Sequence, residues 1–155
     1  MIYGGNDKMF HKMDQAIQMA KKAYVQGEVP VGAVIYKGNG LIAQAHNECL
    51  QTNLPTSHAE MIAIERALTS LGSTYLQGCE IYVTIEPCMM CMGAILAVRL
   101  SRLVYGATEP QSGFVETNIH IQTAANTKNI EIYGGIREEE CASLMRSFFE
   151  KKRRK

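Results

Sequence analysis

At 155 residues and 46% apolar composition, the chain can bury one substantial core and needs no disulfide staple. No run approaches the roughly 18 apolar residues of a membrane span, and the opening MIYGGNDKMF lacks the basic start and apolar stretch of a leader. These patterns argue against membrane insertion and secretion and make a cytoplasmic protein the expectation. The net charge of +1 is unevenly spread: setting aside Lys151 to Lys155, five of the 16 basic residues, leaves 11 against 15 acidic ones, so a body of −4 carries a tail of +5.

No repeat, low-complexity tract or linker divides the chain, so residues 1–155 read as one domain ending in the basic tail 151–155. From Asp7 to about Gln26, Met9, Met13, Ile17, Ala20 and Tyr24 recur at spacings of three and four, which predicts an amphipathic helix. Asn6 or Asp7 would cap it and Gly27 would end it. Val31 to Tyr36 and Leu41 to Ala45 flank Lys37-Gly38-Asn39-Gly40, the pattern of a β-hairpin. Pro55, Thr56 and Ser57 prepare a second helix from about His58 to Leu71, stopped by Gly72.

Glu80 to Thr84 predicts a strand leading to Pro87, and a third helix runs from Cys88 to about Val98. Leu103 to Ala107 is another strand, residues 108–128 are polar and irregular, and Ile130 to Tyr133 is a short strand closed by Gly134-Gly135. A last helix begins near Glu138 and runs into the basic tail. Helices alternating with strands predict a layered α/β domain, its sheet mixed because the hairpin is antiparallel while strand-helix-strand steps favour parallel pairing.

Two short pieces carry the chemistry: His58-Ala59-Glu60 at one helix start and Pro87-Cys88-Met89-Met90-Cys91 at another. Neither decides alone, since H-x-E is common and a lone C-x-x-C also suits a redox pair or half of a structural zinc site. Together they form a ligand set. Cys88 and Cys91, three apart, share a helix face, and a helix start favours thiolates through its unpaired N–H groups and dipole. One imidazole and two thiolates balance Zn²⁺ and leave the fourth tetrahedral position open, which is a catalytic rather than a structural arrangement. Glu60, two residues from His58, projects differently and can move protons beside that position without becoming a ligand. Five cysteines, an odd number and scattered apart from this pair, suit a reducing compartment.

H-x-E with P-C-x-x-C is the signature of zinc nucleobase deaminases. The chain further resembles the bacterial-type tRNA-specific adenosine deaminases of the cytidine deaminase superfamily. The resemblance lies in Gly27 to Val34, His46-Asn47, Pro55 to Met61, Thr84 to Ile95, Arg102 to Ala107, Glu139 to Cys141 and Phe148-Phe149. It implies a three-layer α/β/α sandwich around a mixed sheet of about five strands, one zinc ion per chain, and conversion of a wobble adenosine in a tRNA anticodon loop to inosine. It also implies that Asn47 hydrogen-bonds the flipped base, that the Ala59 N–H helps position the reacting group, that Val29 and Pro30 line the base pocket, and that the protein is a homodimer. The chain departs from the family pattern at 109–116 (EPQSGFVE) and at Leu54, both of which the resemblance places beside the substrate mouth.

The remaining candidates have plainer readings. Cys49, Cys79 and Cys141 suit small buried positions, and His11, His46 and His120 lack metal-like spacing. Glu86 suits a loop-holding role, and Met89, Met90 and Met92 suit core filling. Phe148 and Phe149 beside the tail suit either packing on the body or stacking on RNA, and the tail itself either solvation or phosphate contact. Two other functions stay open on the sequence: deamination of free guanine, cytosine or their nucleosides, and a non-catalytic zinc module that binds RNA.

Overall fold

A computed structural model describes residues 2–115 and 130–154. The elements, in chain order, are α1 (Ile2–Val25), β1 (Gly32–Lys37), β2 (Gly40–His46), α2 (Cys49–Thr52), α3 (Ala59–Leu71), β3 (Cys79–Ile85), α4 (Met89–Ala97), β4 (Arg102–Ala107), β5 (Glu131–Tyr133) and α5 (Glu138–Arg153). His120, Glu116 and most of the irregular 108–128 stretch fall outside the described residues.

The strands form a five-stranded sheet in the order β2-β1-β3-β4-β5. β1 pairs antiparallel with both β2 and β3, whereas β3-β4 and β4-β5 are parallel. This is the mixed sheet that the hairpin and the later strand-helix-strand steps predict. Side-chain alternation then sorts the core into two halves. Ala33, Ile35, Ile81, Val83, Leu103 and Tyr105 face Ala59, Ala63, Ile64 and Ala67 of α3 and Met92 and Ile95 of α4. Val34, Tyr36, Tyr82 and Val104 face Met13, Ala16 and Ile17 of α1 and Cys141 of α5. The result is a three-layer α/β/α sandwich, as the family resemblance implies.

Close approach of α1 to β1 depends on Gly32, where a Cβ would overlap the Ala16 carbonyl and lie 2.6 Å from the Ala20 nitrogen. α1 and α5 lie side by side, joined by Arg137 to Asp14 at 3.0 Å near one end and by Tyr24 Oη to Ser147 Oγ at 2.9 Å near the other. Among the described residues, no helix is long and apolar enough to cross a membrane.

Four expectations need correction, one of them being Met89, which is 67% exposed rather than in the core. The first helix begins at Ile2, so Asn6 and Asp7 lie inside it rather than at its start. Asn and Asp favour N-caps, which is why a boundary is expected there from sequence. His58 and Cys88 are not first helical residues but N-caps with extended backbone, at φ −72°, ψ 149° and φ −75°, ψ 175° respectively. Cys49 is half-buried rather than buried, its Sγ 3.8 Å from the Pro55 carbonyl.

Candidate active site

The site lies at the carboxyl ends of β3 and β4, where open α/β sheets place their ligands. β3 runs into Glu86-Pro87-Cys88, and the Glu86 N–H donates to the Ala107 carbonyl at the end of β4 at 2.8 Å. The first helical bonds of α3 and α4 begin at the cap carbonyls: Ile62 N–H donates to His58 O at 3.1 Å and Met92 N–H to Cys88 O at 2.9 Å. Neither cap side chain is spent on capping, so both are free to face the gap between the helix starts.

His58, Cys88 and Cys91 converge there. Nδ1 of His58 is 3.4 Å from Sγ of Cys91 and 3.7 Å from Sγ of Cys88, and the three ligand atoms lie within 4.8 Å of one another. A tetrahedral ion with bonds of about 2.0 to 2.3 Å separates its ligands by roughly 3.3 to 3.8 Å, so the spacing fits a metal site. The structure also supplies what spacing in the sequence could not, namely that Nδ1 is the ring nitrogen turned toward the sulfurs. Cys91 is fully buried and Cys88 half-buried, leaving one side of the cluster open.

Charge is arranged to suit a cation. Hydrogen bonds from Cys91 and then His58 draw the Cys88 thiol down to about 3, while the bond to Cys88 and burial push Cys91 up. The opposite shifts reflect one thiol donating to the other, and a cation held between them would favour both thiolates. The hydrogen bond to Cys88 raises His58. Glu60, at the second position of α3, is 3% exposed; burial pushes its carboxyl up, opposed by its own N–H and by His58, with Cys91 also within its reach. A buried acid beside a three-ligand cluster is the pairing that proton transfer requires.

The other expected residues cluster nearby. Asn47 is buried, its Oδ1 accepting the Ala59 N–H at 2.8 Å and its own N–H donating to Val31 O at 3.1 Å. Pro30 is buried and Val29 half-buried in the turn just before, with Val31 N–H donating to Val29 O at 2.8 Å. Leu54 is exposed. Glu86 binds the 109–115 segment, Oε1 accepting from the Glu109 N–H at 3.1 Å and Oε2 from the Val115 N–H at 2.8 Å. His46 is buried and directs Nδ1 to the Asn47 carbonyl. Phe148 packs edge-on against Tyr24 and is buried, whereas Phe149 stays 40% exposed.

Sequence reading missed Glu28 and the short helix it organises. Glu28 is 2% exposed and accepts the Leu50 N–H at 3.0 Å and the Gln51 N–H at 2.8 Å, which sets the first turn of α2. At the opposite end of the sheet, Lys12 pairs with Glu80, and Arg102 with Glu80 and Glu131 at 3.2 Å each. That network is closed on itself, unlike the cluster around His58.

Comparison with known proteins agrees with this geometry. Residues 6–153 match the family model described as MafB19-like deaminase. The chain is 40% identical over 144 residues to the tRNA-specific adenosine deaminase of Bacillus subtilis (strain 168), covering 92% of this chain and 89% of that one. Its fold matches, at TM-score 0.81 and 37% identity, a structure from studies of A-to-I editing by tRNA:A34 deaminases at the wobble position, covering 86% of this chain and 98% of that one. A guanine deaminase from Bacillus subtilis matches at TM-score 0.63 and 34% identity, over 70% of this chain and 74% of the other.

Proposed function

The chain belongs to the MafB19-like deaminase family, and from that premise we propose that it hydrolyses the wobble adenosine of a tRNA anticodon loop to inosine, with zinc held by His58, Cys88 and Cys91 and with Glu60 carrying the protons. The observation that carries this reading is the three-atom cluster, within 4.8 Å and open on one side, beside a buried carboxyl. Similarity over nine-tenths of the chain to a tRNA-specific adenosine deaminase supports the substrate.

Zinc, when bound, supplies a Lewis acid that brings the pKa of a water at its open position to about 7. With a metal held by His58, Cys88 and Cys91, Glu60 would accept one proton from the attacking water and pass it to N1 of the ring, then carry the proton of the hydroxyl added at C6 to the departing amino group. The C6–N bond breaks, and inosine and ammonia are released. Burial raises the Glu60 carboxyl above its usual value, the direction that eases its return of a proton.

Asn47 presents its carboxamide to the base with Oδ1 already engaged by Ala59, which turns the amide nitrogen outward as a donor. In this structure the Ala59 N–H serves by holding Asn47. Val29 and Pro30 wall the base, which must leave its stack to reach the site. The basic end of α5 lies at the end of α1 that precedes β1, at the site's end of the sheet but on the opposite face, and reaches the RNA backbone in this reading.

The protein is a homodimer in this reading. α4 carries no charged residue, and Met89, Gly93 and Ala97, four apart, form an exposed apolar stripe beside Cys88. The whole chain acts as one deaminase domain with the 151–155 segment as its basic end. Five free cysteines support a reducing, cytoplasmic setting.

The likeness to a guanine deaminase favours free guanine as a second reading. Incubation of the purified protein with tRNA bearing a wobble adenosine, and separately with free guanine and cytosine, distinguishes them. Inosine in the tRNA is expected; conversion of free bases without inosine in tRNA overturns the first reading.

A further inference from the structure

We propose that Glu86 is a positioning residue for deamination, a clasp that holds the 109–115 loop over Pro87 and Cys88 as a fixed wall of the substrate mouth. The proposal rests on the deaminase reading of the site.

Glu86 is 4% exposed although it follows the last residue of β3 and precedes the metal-binding turn. Its two oxygens accept N–H groups from opposite ends of one loop, Glu109 and Val115. Between them the loop closes on itself, with Gly113 N–H donating to Glu109 O at 2.8 Å. It is also tied to the metal-binding turn, through Phe114 N–H to Pro87 O at 3.0 Å and an antiparallel bridge between Gly113 and Cys88. Gly113 sits so near the carboxylate that a Cβ there would overlap Glu86 Oε1 and lie 2.5 Å from Glu109 O.

Two inward N–H groups require two acceptors, which a carboxylate has and a carboxamide has not. Although the loop touches the backbone of Pro87 and Cys88, the three ligand side chains are also held by the caps of α3 and α4 and by the packing of Met92 and Ile95. Loss of the clasp therefore displaces the wall while the metal cluster and Glu60 stay where they are. A wall that contacts substrate, but not the reacting atoms, affects binding more than chemistry.

Glu86→Gln and Gly113→Ala act on the clasp from its two sides. Each is compared with the zinc-loaded wild type for zinc content, for kinetics on an anticodon stem-loop RNA with a wobble adenosine, and for hydrogen exchange at the amides of Glu109 and Val115. Wild type should protect both amides, and each variant should lose about tenfold or more of that protection. KM should rise about tenfold or more, with kcat within about threefold and zinc near one per chain.

Unchanged KM, a fall in kcat at constant KM, or lost zinc overturns the proposal. If Glu86→Gln does not fold, Gly113→Ala decides by the same criteria. Amide protection needs no substrate: if the wild type leaves the RNA unedited, the functional reading falls, while the exchange data still decide whether the clasp exists.

Discussion

Oδ1 of Asn47 accepts the N–H of Ala59 at 2.8 Å, tying the residue after β2 to the first residue of α3, the helix that carries Glu60. The bond fixes the Asn47 amide, which the proposed reaction uses to hold the base, and satisfies a buried helix-start N–H at the same time. Asn47→Ala removes both. Leaving the N–H unpaired should cost about 1 to 3 kcal/mol in urea unfolding. Steady-state kinetics on the stem-loop RNA should show kcat/KM down by about 100-fold or more. Full activity with only the stability loss would confine Asn47 to a capping role.

Cys88 and Cys91 differ in burial but belong to one cluster, so either truncation should empty it. Cys88→Ala is expected to lose most of its zinc by metal analysis and to melt at lower temperature, because binding energy is folding energy in such a site. A Cys88→Ala protein that keeps one zinc per chain would show that the ligands are misassigned.

The end of α5 is helical through Arg153 and packed, with Lys151 over the Tyr24 ring and Lys152 over Phe148. Deletion would therefore disturb packing as well as charge, and replacing Arg153, Arg154 and Lys155 by alanine is the cleaner test. tRNA affinity should weaken, and the slope of log K against log salt should flatten by about 0.7 to 0.9 for each phosphate that is no longer neutralised. An unchanged slope returns these residues to a solvated terminus.

A Cβ added at Gly93 meets nothing within 4 Å and the residue is exposed, so Gly93→Arg should leave the monomer fold intact. In a homodimer closed through α4 it is buried against the partner. Sedimentation should show a dimer for the wild type and a monomer for Gly93→Arg, both with unchanged far-ultraviolet circular dichroism. A wild-type monomer, or a dimer that survives the arginine, removes α4 from the interface.

The His58, Cys88 and Cys91 group is legible because its two pieces are short local motifs, although their convergence across 30 residues comes from the fold. His58 and Cys88 each open a helix, and a spacing of three brings Cys91 to the same side. The hairpin was legible for a similar reason, since Lys37-Gly38-Asn39-Gly40 sets its own turn, and the pairing of Lys37 with Gly40 follows. What stayed hidden depends on partners distant in sequence. α2 is four residues long with no periodic signal, and its first N–H groups are held by Glu28, 22 and 23 residues earlier. Phe148 and Phe149 are adjacent and chemically alike; only the position of Tyr24 assigns one to packing and leaves the other exposed.

The most direct test follows the oxygen. With tRNA bearing a wobble adenosine in ¹⁸O-labelled water, the zinc-loaded wild type should give inosine containing one labelled oxygen and one equivalent of ammonia. Glu60→Gln, with zinc content unchanged, should be slower by about 100-fold or more, the scale of a lost general acid-base. Inosine without label would rule out hydrolysis at C6, and a fully active Glu60→Gln would contradict the assigned proton path.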